Sequence, residues 1–187
     1  MQAHTAVLSS PSAVWRRALA VTAGAAFVAA ASQVAVPLPG TPVPLTLQPL
    51  AVLLVGGLLG AELGAASLVL YLALGAAGLP VFTPFGLPGA ARLLGPTGGY
   101  LLAYPVAAFA VGRIAGRAPG LARAVGASLA GLVLIHLGGL AQLILVTGSL
   151  EQAARFGTLP FLIGDAIKLG IAAVVLTKAA SSIRARL

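Results

Sequence analysis

The sequence predicts an all-α integral membrane protein, a single bundle of six transmembrane helices. Its 187 residues are 59% hydrophobic and only 7% charged, whereas soluble domains carry about 25% charged residues. The mean hydropathy is +1.07. Eleven bases and three acids cannot cover a water-soluble surface of this size. Apolar runs of spanning length also follow one another through nearly the whole chain.

Six apolar runs approach the roughly 20 residues that a helix needs to cross a bilayer. They cover residues 18–36, 45–60, 63–80, 97–116, 122–147 and 159–180. The second and third are short and nearly continuous, so we expect one hairpin through Gly60–Gly64, with five spans as the alternative. One membrane domain then fills residues 1–187, with a tail at 1–16, the bundle at 17–180 and a second tail at 181–187.

The basic residues predict the orientation in the membrane. With the N-terminus inside, eight bases fall in inner segments and two, Arg92 and Arg155, in outer ones. Cytoplasmic loops carry such an excess, so both tails are predicted to be cytoplasmic in a multi-pass protein of the bacterial cytoplasmic membrane. The net charge of +8 therefore requires no nucleic-acid partner. Arg16-Arg17 could also open a cleaved signal peptide, but the apolar run continues to Val36.

Two connections on the predicted outer side are unusually apolar. Residues 37–46 contain four prolines and no charge, and residues 80–96 are rich in Gly and Pro with Arg92 as their single charge. Proline prevents a helix there, and non-helical backbone at membrane depth is tolerated where it is buried in protein or lines a cavity. We expect both connections to fold back over the bundle, with poorly ordered surface loops as the alternative.

Charged side chains within a membrane span are costly and usually functional. Asp165 and Lys168 stand three residues apart in the last span, so they share one helix face and can neutralise each other. They are either a structural ion pair that joins helices or a polar anchor for a ligand, with Gly164 leaving room beside it.

Further polar side chains reach the same outer depth of the predicted bundle. They are Gln48 at the start of the second span, Tyr100 in the fourth and Gln142 in the fifth, with Gln33 and Tyr104 nearby. Each alone is more often an interfacial tyrosine or a glutamine that joins helices. Their shared depth favours a ligand site.

Two more side chains have alternative roles. His136, nearer the middle of the fifth span, is expected to make a structural hydrogen bond to a neighbouring helix. Arg92 has a planar fork that suits a carboxylate, so it either binds an acidic group of a ligand or ties its own loop in place.

Enzymatic activity is not expected, and no catalytic residue or metal site is predicted. The sequence has no phosphate-loop motif, no H-E-x-x-H and no Cys, and Asp165 is its only Asp. A two-aspartate protease is therefore excluded. A small intramembrane enzyme that uses His136 and Asp165 is the alternative from another class.

Small residues crowd the first span in two rows that permit close approach of another helix. One row holds Ala18, Thr22, Ala26 and Ala30, and the adjacent one Ala25 and Ala29. They serve either internal packing or docking to another membrane subunit.

Four stretches resemble one family, the BioY proteins, which are biotin-specific S components of energy-coupling-factor (ECF) transporters. The stretches are TPVPLTLQ at 41–48, YLALGAAGLPVF at 71–82, GPTGGYL at 95–101 and PFLIGDAIK at 160–168. They occur in the family's order. The resemblance implies a six-helix bundle that captures biotin from outside beneath a lid at 37–46. A transmembrane coupling subunit and two cytoplasmic ATPases would energise transport. S components for other vitamins are the alternative.

The resemblance also implies roles for particular residues. Asp165 and Lys168 match the family's polar pair for the ureido ring, and Arg92 and Tyr100 match the surroundings of the GPTGGY motif. The loop 83–89 departs from the family pattern, which leaves Thr83 as its one hydrogen-bonding side chain. The alanine rows resemble the docking surface for the coupling subunit. No cofactor is implied, biotin being the transported ligand. Membrane lipid is an expected partner, and a homo-oligomer stays open.

Overall fold

The computed structural model describes residues 11–187, which form a helical bundle. Its helices are α1 Pro11–Gln33, α2 Gln48–Leu59, α3 Ala61–Ala76, α4 Ala91–Leu94, α5 Gly98–Ala115, α6 Leu121–Thr147, α7 Leu150–Gly157 and α8 Leu162–Arg184. A 3-10 turn at Leu159–Phe161 leads into α8, and two short strands, β1 Ala35–Val36 and β2 Leu45–Thr46, follow α1.

Six apolar helices make up the body of the bundle. Within the described part of the chain, α1, α5, α6 and the segment Leu150–Arg184 are long and apolar enough to cross a membrane, and α2 and α3 are shorter apolar helices. Their outward faces carry rows of exposed apolar side chains, such as Leu129, Val133 and Leu137 on α6. Lipid tails, unlike water, suit such a surface. The predicted all-α membrane fold is therefore confirmed.

The predicted hairpin lies between α2 and α3. Gly60, with φ +93°, separates the two helices. A Cβ on Gly64 would lie 2.8 Å from the Cα of Gly56. The backbones of α2 and α3 therefore touch at these two glycines, which lie four residues before and four residues after Gly60. Only residues without a side chain allow this approach. The chain thus reverses at Gly60, as the predicted hairpin requires.

Helix α2 lies at the centre, in contact with α1, α3, α5, α6 and α8. One apolar core joins α1, α2, α3, α5 and α6, and includes Val28, Val52 and Leu68. A second core joins α2, α5, α6 and α8, and includes Leu53, Val111 and Leu176. The short α2 is therefore held by the longer helices around it.

The proline-rich connection is pinned at both ends, as expected from its apolar character. Ala35 pairs with Thr46 and Val36 with Leu45 in an antiparallel ladder that the sequence did not predict. The hydroxyl of Thr41 donates to the carbonyl of Phe156 at 2.6 Å, which ties the connection to α7. The segment consequently folds back over one end of the bundle.

Both predicted tails contain helical residues. Residues 1–10 of the tail at 1–16 lie outside the described residues, and the remainder belongs to α1, which begins at Pro11. At the other end, α8 continues to Arg184 through most of the tail at 181–187. A helix can continue after it leaves the membrane, so the ends of α1 and α8 do not locate the boundaries between the bundle and its tails.

Close packing of α5 against α6 gives a stability prediction. A Cβ on Gly138 would lie 2.5 Å from the carbonyl oxygen of Gly99 and 2.6 Å from the Cβ of Ala103. Gly138→Ala is expected to cost about 2 kcal/mol of stability, because the helices must move apart. Gly126→Ala on the same helix meets nothing within 4 Å. This control should be neutral or stabilising, and thermal unfolding in detergent compares the two. Equal midpoints would contradict the packing described.

Candidate ligand-binding site

A pocket lies at the end of the bundle covered by the two apolar connections. Helices α2, α5, α6 and α8 form its walls, and residues from both connections close it. Its lining consists of Val43, Pro44, Thr46, Gln48, Pro49, Phe82, Thr83, Arg92, Thr97, Tyr100, Leu101, Tyr104, Leu132, Ile135, His136, Phe161, Asp165 and Lys168. Such a concave, mainly apolar space with a few convergent polar groups is typical of a small-molecule site.

Asp165 is the centre of the polar part. Its Oδ1 accepts a hydrogen bond from Lys168 Nζ at 2.9 Å, and its Oδ2 lies 2.7 Å from His136 Nε2. Asp165 and Lys168 are each only 6% exposed. The predicted ion pair is present, and His136 makes the expected bond between helices. A carboxylate has about four acceptor positions, so Asp165 can still accept hydrogen bonds from a ligand.

Arg92 holds the loop that follows α3. Its Nε donates to the carbonyl of Leu87 at 2.7 Å, Nη1 donates to Thr83 Oγ1 at 3.0 Å, and Nη2 donates to the Thr83 carbonyl at 2.8 Å. Nη1 also donates to the carbonyl of Phe85. Burial lowers the pKa of the Arg92 guanidinium below its ordinary value. These contacts match the loop-tie alternative and leave one of five N–H groups unused.

Two other predicted site residues line the pocket with their polar groups already engaged. Gln48 donates from Nε2 to the hydroxyl of Tyr71 at 2.6 Å. The hydroxyl of Tyr100 donates to the carbonyl of Gly157 at 2.5 Å. The Tyr100 ring meets the His136 ring edge to face, with the ring centroids 6.2 Å apart. Tyr100 therefore shapes the wall and fastens α7, rather than offering a free hydroxyl.

Gln142 and Gly164 do not line the pocket, in contrast to the prediction. Gln142 donates from Nε2 to the carbonyls of Leu93 and Gly95, at 3.0 and 2.8 Å, which holds the segment before α5. Gly164 faces Leu45, whose Cδ1 would lie 3.4 Å from an added Cβ. Both residues were predicted as site residues from their depth along a helix. Depth does not determine the direction in which a side chain points.

His136 and Tyr104, which were not predicted to bind the ligand, both line the pocket. His136 lines the pocket and contacts Asp165, and its Nδ1 is buried without a partner among the described residues. Tyr104 is 3% exposed and lines the pocket, and its hydroxyl makes no hydrogen bond within residues 11–187. The sequence indicated this position of Tyr104, because Tyr104 follows Tyr100 by one helical turn and residues i and i+4 share a helix face.

The two rows on α1 face different surroundings. Ala18, Thr22, Ala26 and Ala30 are exposed. Ala25 is 2% exposed and Ala29 packs against the same core. Both residues match the alternative of internal packing, and Ala25 is too deeply buried to contact another subunit. The outer row keeps its docking role as a prediction.

Comparison with known proteins gives one consistent result. The sequence model of the BioY family matches residues 3–185. The chain is 44% identical over 134 residues to a "Probable biotin transporter BioY" of Pyrococcus horikoshii, covering 72% of this chain and 78% of the relative. It is 38% identical over 138 residues to the "Biotin transporter BioY" of Thermotoga maritima, covering 74% and 81%.

A solved structure extends the similarity to the fold. It is the crystal structure of the S-component for biotin from an ECF-type ABC transporter, with a TM-score of 0.82 and 27% identity. The match covers 91% of this chain and 94% of that chain. The bundle and the order of its helices are thus shared over almost the whole length.

Proposed function

The chain belongs to the BioY family, and from this premise we propose that it takes up biotin by enclosing the vitamin in the pocket around Asp165 and Lys168. The protein is a biotin S component of an ECF transporter and not an enzyme. The intramembrane enzyme considered as an alternative is therefore set aside. Biotin is the transported ligand, and no cofactor is implied.

One observation carries the assignment of the site: a buried acid and a buried base meet in an apolar pocket. The ureido ring of biotin is neutral and presents both N–H donors and a carbonyl acceptor. Asp165 accepts from an N–H group, while Lys168, with three donors, donates to the carbonyl. A site built on such bonds rejects analogues that lack them, because its buried polar groups would be left unpaired.

The rest of the pocket suits the rest of biotin. Phe82, Tyr104 and Phe161 supply aromatic walls for the apolar bicyclic ring and the valeryl chain. Val43 and Pro44 lie over the pocket as part of the lid formed by the connection 37–46. Arg92 and Thr83 support the opposite rim and act on the ligand through the loop they hold.

A competition panel tests the assignment. Labelled biotin is bound to the purified protein in detergent and challenged with unlabelled biotin, with an analogue whose ureido nitrogens are methylated, and with thiamine and riboflavin. We expect displacement by biotin alone at equal concentration. Displacement by another vitamin would assign the protein to that ligand. Displacement by the methylated analogue would place the ureido group elsewhere.

Tyr104 and Tyr100 form a matched pair for the next prediction. Tyr104→Phe removes a hydroxyl that is free to contact biotin, so affinity is expected to fall about fivefold at unchanged thermal stability. Tyr100→Phe removes the bond to Gly157 and is expected to lower stability by about 1 kcal/mol instead. Isothermal titration and thermal unfolding measure both quantities. Wild-type affinity in Tyr104→Phe would exclude its hydroxyl from the site.

The energising module docks on the exposed small-residue row of α1, the row of Ala18, Thr22, Ala26 and Ala30. These side chains are exposed and short, which lets a helix of the coupling subunit approach closely. The coupling subunit carries two cytoplasmic ATPases.

Ala26→Leu tests the docking row. The added volume is expected to weaken assembly with the coupling subunit by about tenfold and to leave biotin affinity unchanged. Ala141→Leu, at an exposed alanine of α6, is the control. Co-purification from membranes measures assembly. Equal yields for the two variants would move the docking surface away from α1.

The membrane placement follows the charge distribution. The protein is a multi-pass protein of the bacterial cytoplasmic membrane, with both termini in the cytoplasm. Residues 1–187 form one membrane domain. The chain lacks Cys, so single cysteines introduced at Gly40 and at Arg186 can be labelled separately in intact cells. We expect an impermeant maleimide to label position 40 only. The reverse pattern would invert the topology.

A further inference from the structure

A second cavity opens at the end of the bundle opposite to the biotin pocket. It is lined by residues of α1, of the α2–α3 junction and of the last turns of α5 and α8. They are Arg17, Leu59, Gly60, Ala61, Glu62, Leu63, Gly112, Arg113, Gly116, Arg117, Arg184 and Leu187. Sixteen residues of α8 separate Lys168 from Arg184, a distance of about 24 Å along the helix. The two cavities are therefore independent.

The charge of this cavity is strongly unbalanced. Four arginines line it, against the single acid Glu62. In the described part of the chain the ion pairs are those of Asp165 with His136 and Lys168, so Glu62 neutralises none of the arginines by direct contact. An anion would relieve the repulsion between these cations.

The arginines divide into one that is engaged and three that are available. Arg184 donates from Nε and Nη2 to the carbonyl of Gly57, at 3.0 and 2.5 Å, and fixes the base of the cavity. Arg17, Arg113 and Arg117 make no hydrogen bond or ion pair to other described residues. The first turn of α3 at Ala61–Leu63 adds backbone N–H groups, since a first helical turn has no intrahelical acceptors for them.

The remaining lining identifies the kind of anion. Leu59, Leu63 and Leu187 give the cavity an apolar wall beside its arginines. Trp15, 76% exposed and two residues before Arg17, marks the level of the membrane interface. Basic pockets between helices at this level bind lipid headgroups. We propose that the cavity formed by Arg17, Arg113, Arg117 and Arg184 binds the phosphate of an anionic phospholipid, with acyl chains along the leucines.

Lipid titration followed by native mass spectrometry tests the proposal on the purified full-length protein. Phosphatidylglycerol is compared with phosphatidylcholine and with free glycerol phosphate. We expect phosphatidylglycerol to bind about tenfold more tightly than phosphatidylcholine, and glycerol phosphate to compete poorly. The double variant R113Q/R117Q should lose this preference. The control K178Q/R186Q, which removes the same charge at the same end but outside the lining, should keep it.

Three results would overturn the proposal. If both double variants lost the preference for phosphatidylglycerol equally, that preference would be due to the overall charge and not to this cavity. Competition by glycerol phosphate at the concentration of the lipid would make the cavity a site for free phosphate. Unchanged lipid binding in R113Q/R117Q, together with lost assembly with the coupling subunit, would assign the cavity to that partner. Retained biotin binding shows that the variants are folded, so failure here leaves the proposed function untouched.

Discussion

Replacing Asp165 by Ala is expected to abolish high-affinity biotin binding. Asp165 holds Lys168 and His136 at 2.9 and 2.7 Å, and in our proposal it also accepts the ureido N–H. Its loss leaves a buried ammonium group unpaired, which costs about 4 kcal/mol of folding stability. The lost charge-assisted hydrogen bond to the ureido N–H, together with the displaced Lys168, is expected to lower the affinity on the order of 10²-fold. Titration of biotin into the purified variant measures it.

Two further variants separate the loss of binding from the loss of the fold. D165N/K168Q removes both charges while keeping a polar side chain at each position, so thermal stability should recover while biotin binding stays lost. Glu151→Gln removes an exposed acid of α7 outside the pocket and should bind biotin as the wild type does. Tight binding by D165N/K168Q would remove the pair from the ligand site.

Replacing Arg92 by Lys is expected to weaken binding by about 30-fold, the second largest effect. Lysine keeps the charge but cannot reproduce the fork that reaches Thr83, Phe85 and Leu87 together. The rim of the pocket then loses about 2 kcal/mol of charge-assisted hydrogen bonding. Arg155→Lys, at the same end of the bundle but outside the pocket lining, is the control and should change nothing.

The same variant distinguishes the two roles considered for Arg92. Because its contacts run to its own loop, biotin and the uncharged amide of biotin should lose affinity equally in Arg92→Lys. A direct bond to the ligand carboxylate would instead make the wild type prefer biotin over the amide, and the variant, whose ammonium group lacks the bidentate fork, would show a smaller preference. Such a decrease would contradict the loop-holding role.

Hydropathy predicted the fold closely because lipid-facing helices must be apolar along their length. The hairpin at Gly60 was predictable from its glycines, since close backbone contact requires them. The pairing of β1 with β2 was not, because two residues in each strand carry too little pattern to indicate a ladder. That pairing depends instead on how the connection 37–44 is held between α1, α2 and α7.

The site was predicted in part for a related reason. Buried charges are rare in a membrane span, so Asp165 and Lys168 could be recognised as candidate site residues from the sequence. Gln142 was predicted to line the pocket because it lies at the same depth as the other polar residues. It follows His136 by six residues, however, over which an α-helix turns by about 240°, so the two side chains face different directions. Its amide therefore points to Leu93 and Gly95. Which way a polar side chain faces requires the packing of neighbouring helices, which hydropathy does not contain.

A structure of the protein with bound biotin would show how the ligand lies in the pocket. We expect the ureido ring to lie between Asp165 and Lys168, with its N–H toward the carboxylate and its carbonyl toward Lys168 Nζ. The valerate chain should run toward the lid at Val43 and Pro44. A complex in which the biotin carboxylate pairs with Lys168 and the ureido ring lies beneath the lid would contradict this expectation.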